Sequence, residues 1–414
     1  MPDGTVRAKI MTAEFLGGGM QVNFQIDRAL REKADAGAVP GAVAIAATGN
    51  DILYQGAFGK RDLSKDDAMT LDSVFWIASM TKAITAAAAM QLVEQGRLDL
   101  ESPIGKVLPD LAAPRVLEGF DASGEPKLRP AKAAITLRHL LTHTAGFAYD
   151  MWNGDLLQYV QKKSVPPART GLNASLQVPL MTDPGTRWEY GINIDWAGKA
   201  VEAASGKRLD TYLHDHIFDP LGMTSTSHRI SDWQRQRLVG LHARQPDGSL
   251  VPRAFETEQN PEFYPGGGGL YSTAGDYIRF VQMILNKGCS SGHQVLKPET
   301  VALMAQNHIG DLSMTRMTAH IPPLTNDVDF YPDIDKKWGL SFLINTAKTP
   351  EGRSPGSLSW AGLGNTYYWI DPARDIAGVI LMQVLPFADP KCLDTFAAFE
   401  RGVYAALDAA QRAA

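Results

Sequence analysis

Apolar residues recur at helical spacing over residues 23–36, which predicts an amphipathic helix at the start of the fold. Two short apolar runs follow within residues 39–59, AVAIAAT and ILYQGAFG. Gly49-Asn50-Asp51 joins them with the composition of a tight turn, so a hairpin is expected. The next strong helix is expected over residues 79–96, with alanine and leucine-type side chains on nearly every face and Gly96 at the C-cap. Beyond it Pro103, Pro109, Pro114, Pro126 and Pro130 break the chain into short helices and loops as far as His143. Helical pieces and long loops then continue to about residue 223. Glycine-rich GGGGLYSTAGDYIRFVQMIL leads into a helix over 276–287. SLSWAGLGNTYYWIDP and IAGVILMQVL read as strands, and a last helix is expected over 395–410. The pattern implies a body of sheet and packing helices built from both chain ends, residues 1–78 and 228–414. A mainly helical region, 79–227, is inserted, and the cleft between the two is the expected place for chemistry.

Composition narrows the class. The 40 basic and 45 acidic side chains leave a net charge of −5, which argues against a nucleic-acid or anionic-membrane partner. With 44% hydrophobic and 21% charged residues the chain can bury a large core, so disordered and fibrous classes fall away. The longest apolar runs, 83–93 and 376–385, are short of the roughly 18 residues that span a bilayer. No basic segment followed by an apolar run opens the chain, so a cytoplasmic location is the expectation, and residues 1–20 are given no role. Cys289 and Cys392 lie far apart without CxxC spacing, as expected of two buried thiols. His139 and His143 share helical i, i+4 spacing, but Leu140 stands where a zinc hydrolase carries its glutamate. No metal or other cofactor is implied. His214 and His216 flank Asp215 on a solvated surface.

The sharpest chemical signal is Ser79-Met80-Thr81-Lys82 at a helix start, because residues three apart share a face and an ammonium there can reach the serine oxygen. Phe75-Trp76-Ile77-Ala78 leads into it, and the apolar helix behind it would bury the lysine and lower its pKa toward that of a base. An N-cap serine beside an unrelated lysine is the plain alternative. A second segment, Asp183 through Asn193, delivers Tyr190 from a turn just before another helix. Beside Lys82 its phenol would be drawn toward phenolate and serve as a general base; otherwise it is a core tyrosine. A third, Ser357 through Asn365, places small residues at a strand edge. A substrate carbonyl can approach backbone N–H groups there, or the glycines merely mark a bulge. Gly288-Cys289-Ser290-Ser291-Gly292 offers a rival nucleophile, Ser290. An elbow needs a strand before the serine and a helix after it, whereas a helix precedes this one, so a surface turn is expected.

In order along the chain, the three segments resemble the three motifs of the serine β-lactamase and penicillin-binding-protein superfamily, most closely its family VIII carboxylesterases. Supporting stretches are Leu140 through Gly146, Pro220-Leu221-Gly222-Met223 and Gly266 through Ala274. The resemblance implies an α+β fold, an antiparallel sheet flanked by helices plus a mainly helical domain. It implies Ser79 as the acylated nucleophile, Lys82 as its proton partner and Tyr190 as the proton relay, with the backbone N–H groups of Ser79 and Leu363 as the oxyanion hole. Two departures mark this chain. Tyr190-Gly191-Ile192 stands for Tyr-x-Asn, with Asn193 one position late, and Trp360-Ala361-Gly362 stands for Lys-Thr-Gly. Ile192, Trp360, Ala361 and Gly362 are thus expected as substrate contacts, more apolar than in a lactamase. Loss of the cation suits a neutral substrate. The expectation is a carboxylesterase of small short-chain esters with weak or no β-lactam hydrolysis. An acyltransferase using the same acyl-enzyme and a β-lactamase or penicillin-binding receptor are the alternatives. Loops 119–130 and 310–335 are the expected walls of the pocket.

Overall fold

The computed structural model describes residues 19–290 and 292–413. Helix α1 (Gly19–Asp35) precedes strands β1 (Gly41–Ala47) and β2 (Ile52–Gly59). Three long helices follow at intervals, α2 (Thr81–Glu94), α3 (Asn193–Ser205) and α4 (Ala274–Leu285). The chain then forms β3 (Lys336–Trp338), β4 (Leu343–Asn345), β5 (Leu358–Gly362), β6 (Thr366–Asp371) and β7 (Ile376–Leu381), and ends in α5 (Pro390–Ala413).

These seven strands make one antiparallel sheet in the order β3-β4-β5-β6-β7-β1-β2. The N-terminal hairpin joins the C-terminal meander where Val43 pairs with Leu381 and Ala47 with Ala377. Strands β1, β6 and β7 are buried along their whole length because both faces of the sheet are covered. Tyr368 meets Tyr277 of α4 on one face, and its neighbour Trp369 meets Phe396 and Phe399 of α5 on the other. Helix α1 lies along α5, so close that a Cβ on Gly402 would fall 2.6 Å from Ile26 Cγ1. Helices α2 and α3 pack together, and Tyr277 of α4 donates its hydroxyl to the Met80 carbonyl at the start of α2, giving an α+β architecture.

Several elements depart from the sequence pattern for identifiable reasons. Helix α5 starts at Pro390, before the expected residue 395, because the Asp389 carboxylate accepts the N–H groups of Lys391 and Cys392 and caps it. The run IAGVILMQVL splits. Strand β7 ends at Leu381, Gln383 turns inward to donate to the Trp76 carbonyl, and Val384–Leu385 pairs with His242 and Ala243 instead. Residues 115–130, expected as short helices and loops, form a hairpin of Arg115–Phe120 and Pro126–Pro130 with prolines at both ends of the outer strand, where a missing donor is tolerated. Cys392 is buried, but Cys289 is only half-buried.

The C-terminal helix is fastened to the sheet side by a buried ion pair. Arg353 donates from Nε and Nη2 to the two oxygens of Glu400 at 2.6 and 2.7 Å. Replacing Glu400 by alanine leaves the guanidinium buried and unpaired, so Glu400→Ala should cost about 3–5 kcal/mol of unfolding free energy, read from denaturant or thermal melts.

Candidate active site

Ser79 is delivered by a short strand and a strained turn. Phe75 and Trp76 pair with Ser272 and Tyr271, and the Ile77 N–H donates to the Leu270 carbonyl at 3.0 Å. Ala78 then adopts a left-handed φ of +44°, an uncommon conformation for a residue with a Cβ, and turns the chain into the 3-10 turn Ala78–Met80. Ser79 sits half-buried in that turn, one residue before Met80 caps α2.

The glycine run 266–269 is laid against this element. Trp76 Nε1 donates to the Gly268 carbonyl at 2.8 Å, Lys82 Nζ to Gly267 at 2.6 Å and Thr85 Oγ1 to Gly266 at 2.8 Å. Three successive carbonyls are therefore taken by one face of the nucleophile segment. A Cβ at Gly266 would lie 2.8 Å from the Ile194 carbonyl oxygen, and one at Gly267 2.8 Å from Asp195 Oδ2. Side chains are excluded there by backbone and carboxylate, not by a lack of packing partners.

Lys82 is fully buried, and its Nζ also donates to Ser79 Oγ at 3.0 Å and to the Tyr149 hydroxyl at 3.1 Å. The three acceptors match the three donors of an ammonium. Burial lowers the Lys82 pKa to about 7, with the Asp195 carboxylate opposing the drop. Tyr190 lies with its ring 4.8 Å from Nζ, and its hydroxyl oxygen accepts the Trp360 indole N–H at 2.8 Å. Burial pushes the Tyr190 phenol well above its ordinary pKa, and hydrogen bonds with Ser79 and Trp360 draw it only partly back. Burial therefore works against the phenolate expected beside Lys82 and favours the neutral, basic form of the lysine.

Tyr149 and Tyr190 are set side by side by two segments that zip together. Glu189 N–H donates to the His143 carbonyl, Tyr149 N–H to the Tyr190 carbonyl and Met181 N–H to the Gly146 carbonyl. Gly191 permits the approach, since a Cβ there would fall 2.4 Å from the Phe147 oxygen. The end of β5 abuts the nucleophile turn in the same manner, with a Gly362 Cβ position 2.3 Å from the Ile77 oxygen. Leu363, just after it, packs against the cluster of Val74, Trp76, Ala78 and Tyr271 that leads into the Ser79 turn.

Ser79, Lys82, Tyr190, Trp360, Gly362 and Leu363 thus converge, but three residues serve otherwise than expected. Trp360 is buried and holds the Tyr190 hydroxyl. Ala361 is buried on β5 opposite Tyr367 of β6, and with Tyr367 and Phe396 it lines a small cavity that Trp360 also borders. Ile192 is buried in the core at the N-cap of α3. Asn193 turns inward, its amide nitrogen 3.0 Å from His143 Nδ1 and 3.2 Å from the Phe147 oxygen. His143 lies outside the Leu137–Leu141 helix with its ring tilted 51° and 4.7 Å from the Tyr190 ring, whereas His139 belongs to that helix's capping box. Ser290 stands on a small hairpin paired with His293 after α4. The 115–130 hairpin is tied to Asp183 and, through Glu125, to Lys162 and Lys163, while the 310–335 loop brings Phe330 to within 6.2 Å of the Trp360 ring. Tyr149 and Asp195 were not singled out from sequence. An acidic residue in the first turn of a helix, between the apolar Ile194 and Trp196, was the available signal for Asp195.

The family profile described as Beta-lactamase matches residues 26–402 of this chain. The chain belongs to the beta-lactamase family. Among relatives in this family, the chain is 32% identical to monacolin J acid methylbutanoyltransferase of Aspergillus terreus over 92% of this chain and 95% of that protein. It is 31% identical to lovastatin esterase of Penicillium rubens over 92% and 98% of the two chains. The unliganded structure of simvastatin synthase (LovD) from Aspergillus terreus superposes with a TM-score of 0.82 at 32% identity, covering 93% of this chain and 98% of that one. This beta-lactamase-family chain accordingly falls among serine enzymes that include acyltransferases and an esterase.

Trp360→Phe keeps an aromatic ring but deletes the only N–H held on the buried Tyr190 oxygen by that side chain. Loss of one such bond, about 1–1.5 kcal/mol, should lower turnover of an acylating substrate about tenfold with the melting temperature little changed. Steady-state kinetics beside a thermal melt would check this.

Proposed function

We propose that the protein is a carboxylesterase acting through a Ser79 acyl-enzyme on neutral esters with short acyl chains, with β-lactam hydrolysis weak or absent. The observation that carries this reading is the 3.0 Å contact from Ser79 Oγ to a lysine nitrogen fully buried and poised near neutral pH. As Ser79 attacks the ester carbonyl, its proton passes to the Lys82 amine and the oxyanion rests on the N–H groups of Ser79 and Leu363. The carbon–oxygen bond to the alcohol then breaks, and the leaving alkoxide takes the Tyr190 hydroxyl proton, which Lys82 replaces. Water gives up a proton by the reverse route, attacks the acyl carbonyl, and the acid leaves as Ser79 is reprotonated.

Neutrality of the substrate is supported by the walls. Trp152 lies 5.5 Å from the Tyr190 ring and 6.3 Å from Phe387, and Phe330 lies 6.2 Å from both Trp360 and Phe387. These rings offer apolar area and no cation to hold a carboxylate. A second reading, transfer of the acyl group to an alcohol, is favoured by the names of the transferase relatives and uses the same acyl-enzyme. A slow receptor is favoured less, since Lys82 and Tyr190 supply a route for deacylation.

The test is mass spectrometry of the intact protein after brief exposure to an activated short-chain ester and, separately, to a penicillin, with peptide mapping. A transient acyl group on Ser79 with steady alcohol release is expected, lost in Ser79→Ala and kept in Ser290→Ala. A long-lived penicilloyl adduct without turnover would favour the receptor, and an adduct on Ser290 would overturn the assignment. Adding an alcohol and counting ester product against acid separates transfer from hydrolysis. Because Lys82 must be uncharged to accept the serine proton, kcat/KM should rise with pH through about 7 and fall roughly tenfold per unit well below it, in a pH–rate profile.

A further inference from the structure

Lys82 is enclosed by groups from several segments. Ser79 lies on its own turn, and Tyr149 faces it from the 143–150 segment. The Tyr190 ring and the buried His143 lie beyond, and Asp195 faces it from the first turn of α3. Asp150 acts on Tyr149, and Arg169 in turn acts on Asp150. Asp195 is thus the one carboxylate among the described residues that acts on the lysine, and it is itself 2% exposed.

Asp195 and Lys82 are linked through a single glycine. The Gly267 N–H donates to Asp195 Oδ1 at 2.9 Å, while the Gly267 carbonyl accepts from Lys82 Nζ at 2.6 Å. A Cβ at residue 267 would meet Asp195 Oδ2 at 2.8 Å and the Tyr149 hydroxyl at 3.1 Å, so the carboxylate comes this near only because no side chain intervenes. An ionised carboxylate taken out of water is costly unless an opposite charge stands close, and the lysine supplies that charge.

We propose that Asp195 is the positioning residue that sets the charge of Lys82: its buried carboxylate, fixed on the Gly267 amide, favours the ammonium and so fixes the pH at which the amine becomes available to Ser79. The kinetic part of this inference rests on the reading of Lys82 as acceptor of the serine proton, whereas the charge coupling itself does not. Asp195 does not touch substrate. Its effect passes through Lys82 alone.

Asp195→Asn has the same shape and keeps an oxygen to accept the Gly267 N–H, so it deletes charge and little else. The lysine then loses its counter-charge, and the ammonium gives up its proton more easily. The acid limb of kcat/KM should move down by about one pH unit or more, with the melting temperature within a few degrees of wild type. Asp195→Glu keeps the charge and should hold the limb near its original position. Titration of ¹³C-methylated or ¹³Cε-labelled lysine by NMR, with the Lys82 signal identified by its loss in Lys82→Met, should show the same downward move without relying on any ester. An unmoved limb and an unmoved Lys82 signal in folded Asp195→Asn would overturn the proposal. So would an equal shift in Asp195→Glu, since packing and not charge would then be responsible. A moved Lys82 signal in a protein that hydrolyses no ester would uphold the charge coupling and overturn the esterase reading instead.

Discussion

The constraint on which the rest of this structure depends is the burial of one lysine nitrogen. Removing an ammonium from water costs several kcal/mol unless acceptors and an opposite charge surround it. Lys82 receives three oxygens, from Ser79, Tyr149 and Gly267, and one carboxylate held back at Asp195. That arrangement neither abolishes the penalty nor leaves it whole, and a lysine poised between charged and neutral states follows from the partial match. The glycine run follows from the same need. A backbone that must turn its carbonyls onto one helix face while Ile194 and Asp195 press on its back has no room for side chains.

Placing the lysine this way also explains why α2 carries almost no polar face. Residues 81–92 are buried throughout, between α3 on one side and the glycine run on the other. Small alanines let these elements approach, and the helix loses the amphipathic stripe of a surface element. The second proton carrier is positioned by a different device. Tyr190 is enclosed by aromatic neighbours, and this burial favours the protonated phenol against the opposing pull of the Trp360 indole N–H, so the phenol is placed to donate while the lysine supplies basicity. Splitting acid and base between two groups whose surroundings move their pKa values apart suits a cycle that must protonate a leaving alcohol and deprotonate a water in succession.

Much of this was legible in the sequence where the signal is local. The Ser79 and Lys82 pair shows itself by spacing, the sheet strands by continuous apolar runs, and the tyrosine by its turn. What was not legible depends on side-chain direction. Trp360 reads as a substrate contact from its position in the third segment, yet spacing does not show whether an indole N–H faces the cleft or, as here, the Tyr190 oxygen. Ala361 likewise lines a cavity with Tyr367 and Phe396, and Asn193 turns toward His143 because a left-handed residue there brings the imidazole inward. The hairpin at 115–130 was hidden by its prolines, which break helices everywhere but strands only in the interior of a sheet. Asp195 was hidden because a carboxylate near a helix start reads equally well as a solvated partner of the helix dipole.

Transferases and an esterase stand at nearly equal identity to this chain, so membership of the family does not by itself decide the acyl acceptor. The first half of the cycle is common, and the outcome turns on whether an alcohol is held over the acyl carbonyl long enough to outrun water. A bound and aligned alcohol gains an effective concentration of roughly 10⁵ M or more, far above that of water, whereas one that merely diffuses past gains nothing. Selection between the two therefore lies outside the proton-transfer groups, in the surface that would hold the alcohol. On the proposed reading, the aromatic cluster of Trp152, Phe330 and Phe387 beside Tyr190 and Trp360 would be that surface, able to hold an apolar alcohol by area and without a charge among its rings to orient a polar one. Apolar alcohols retained by that wall would be transferred to, and small polar ones would leave the acyl-enzyme to water.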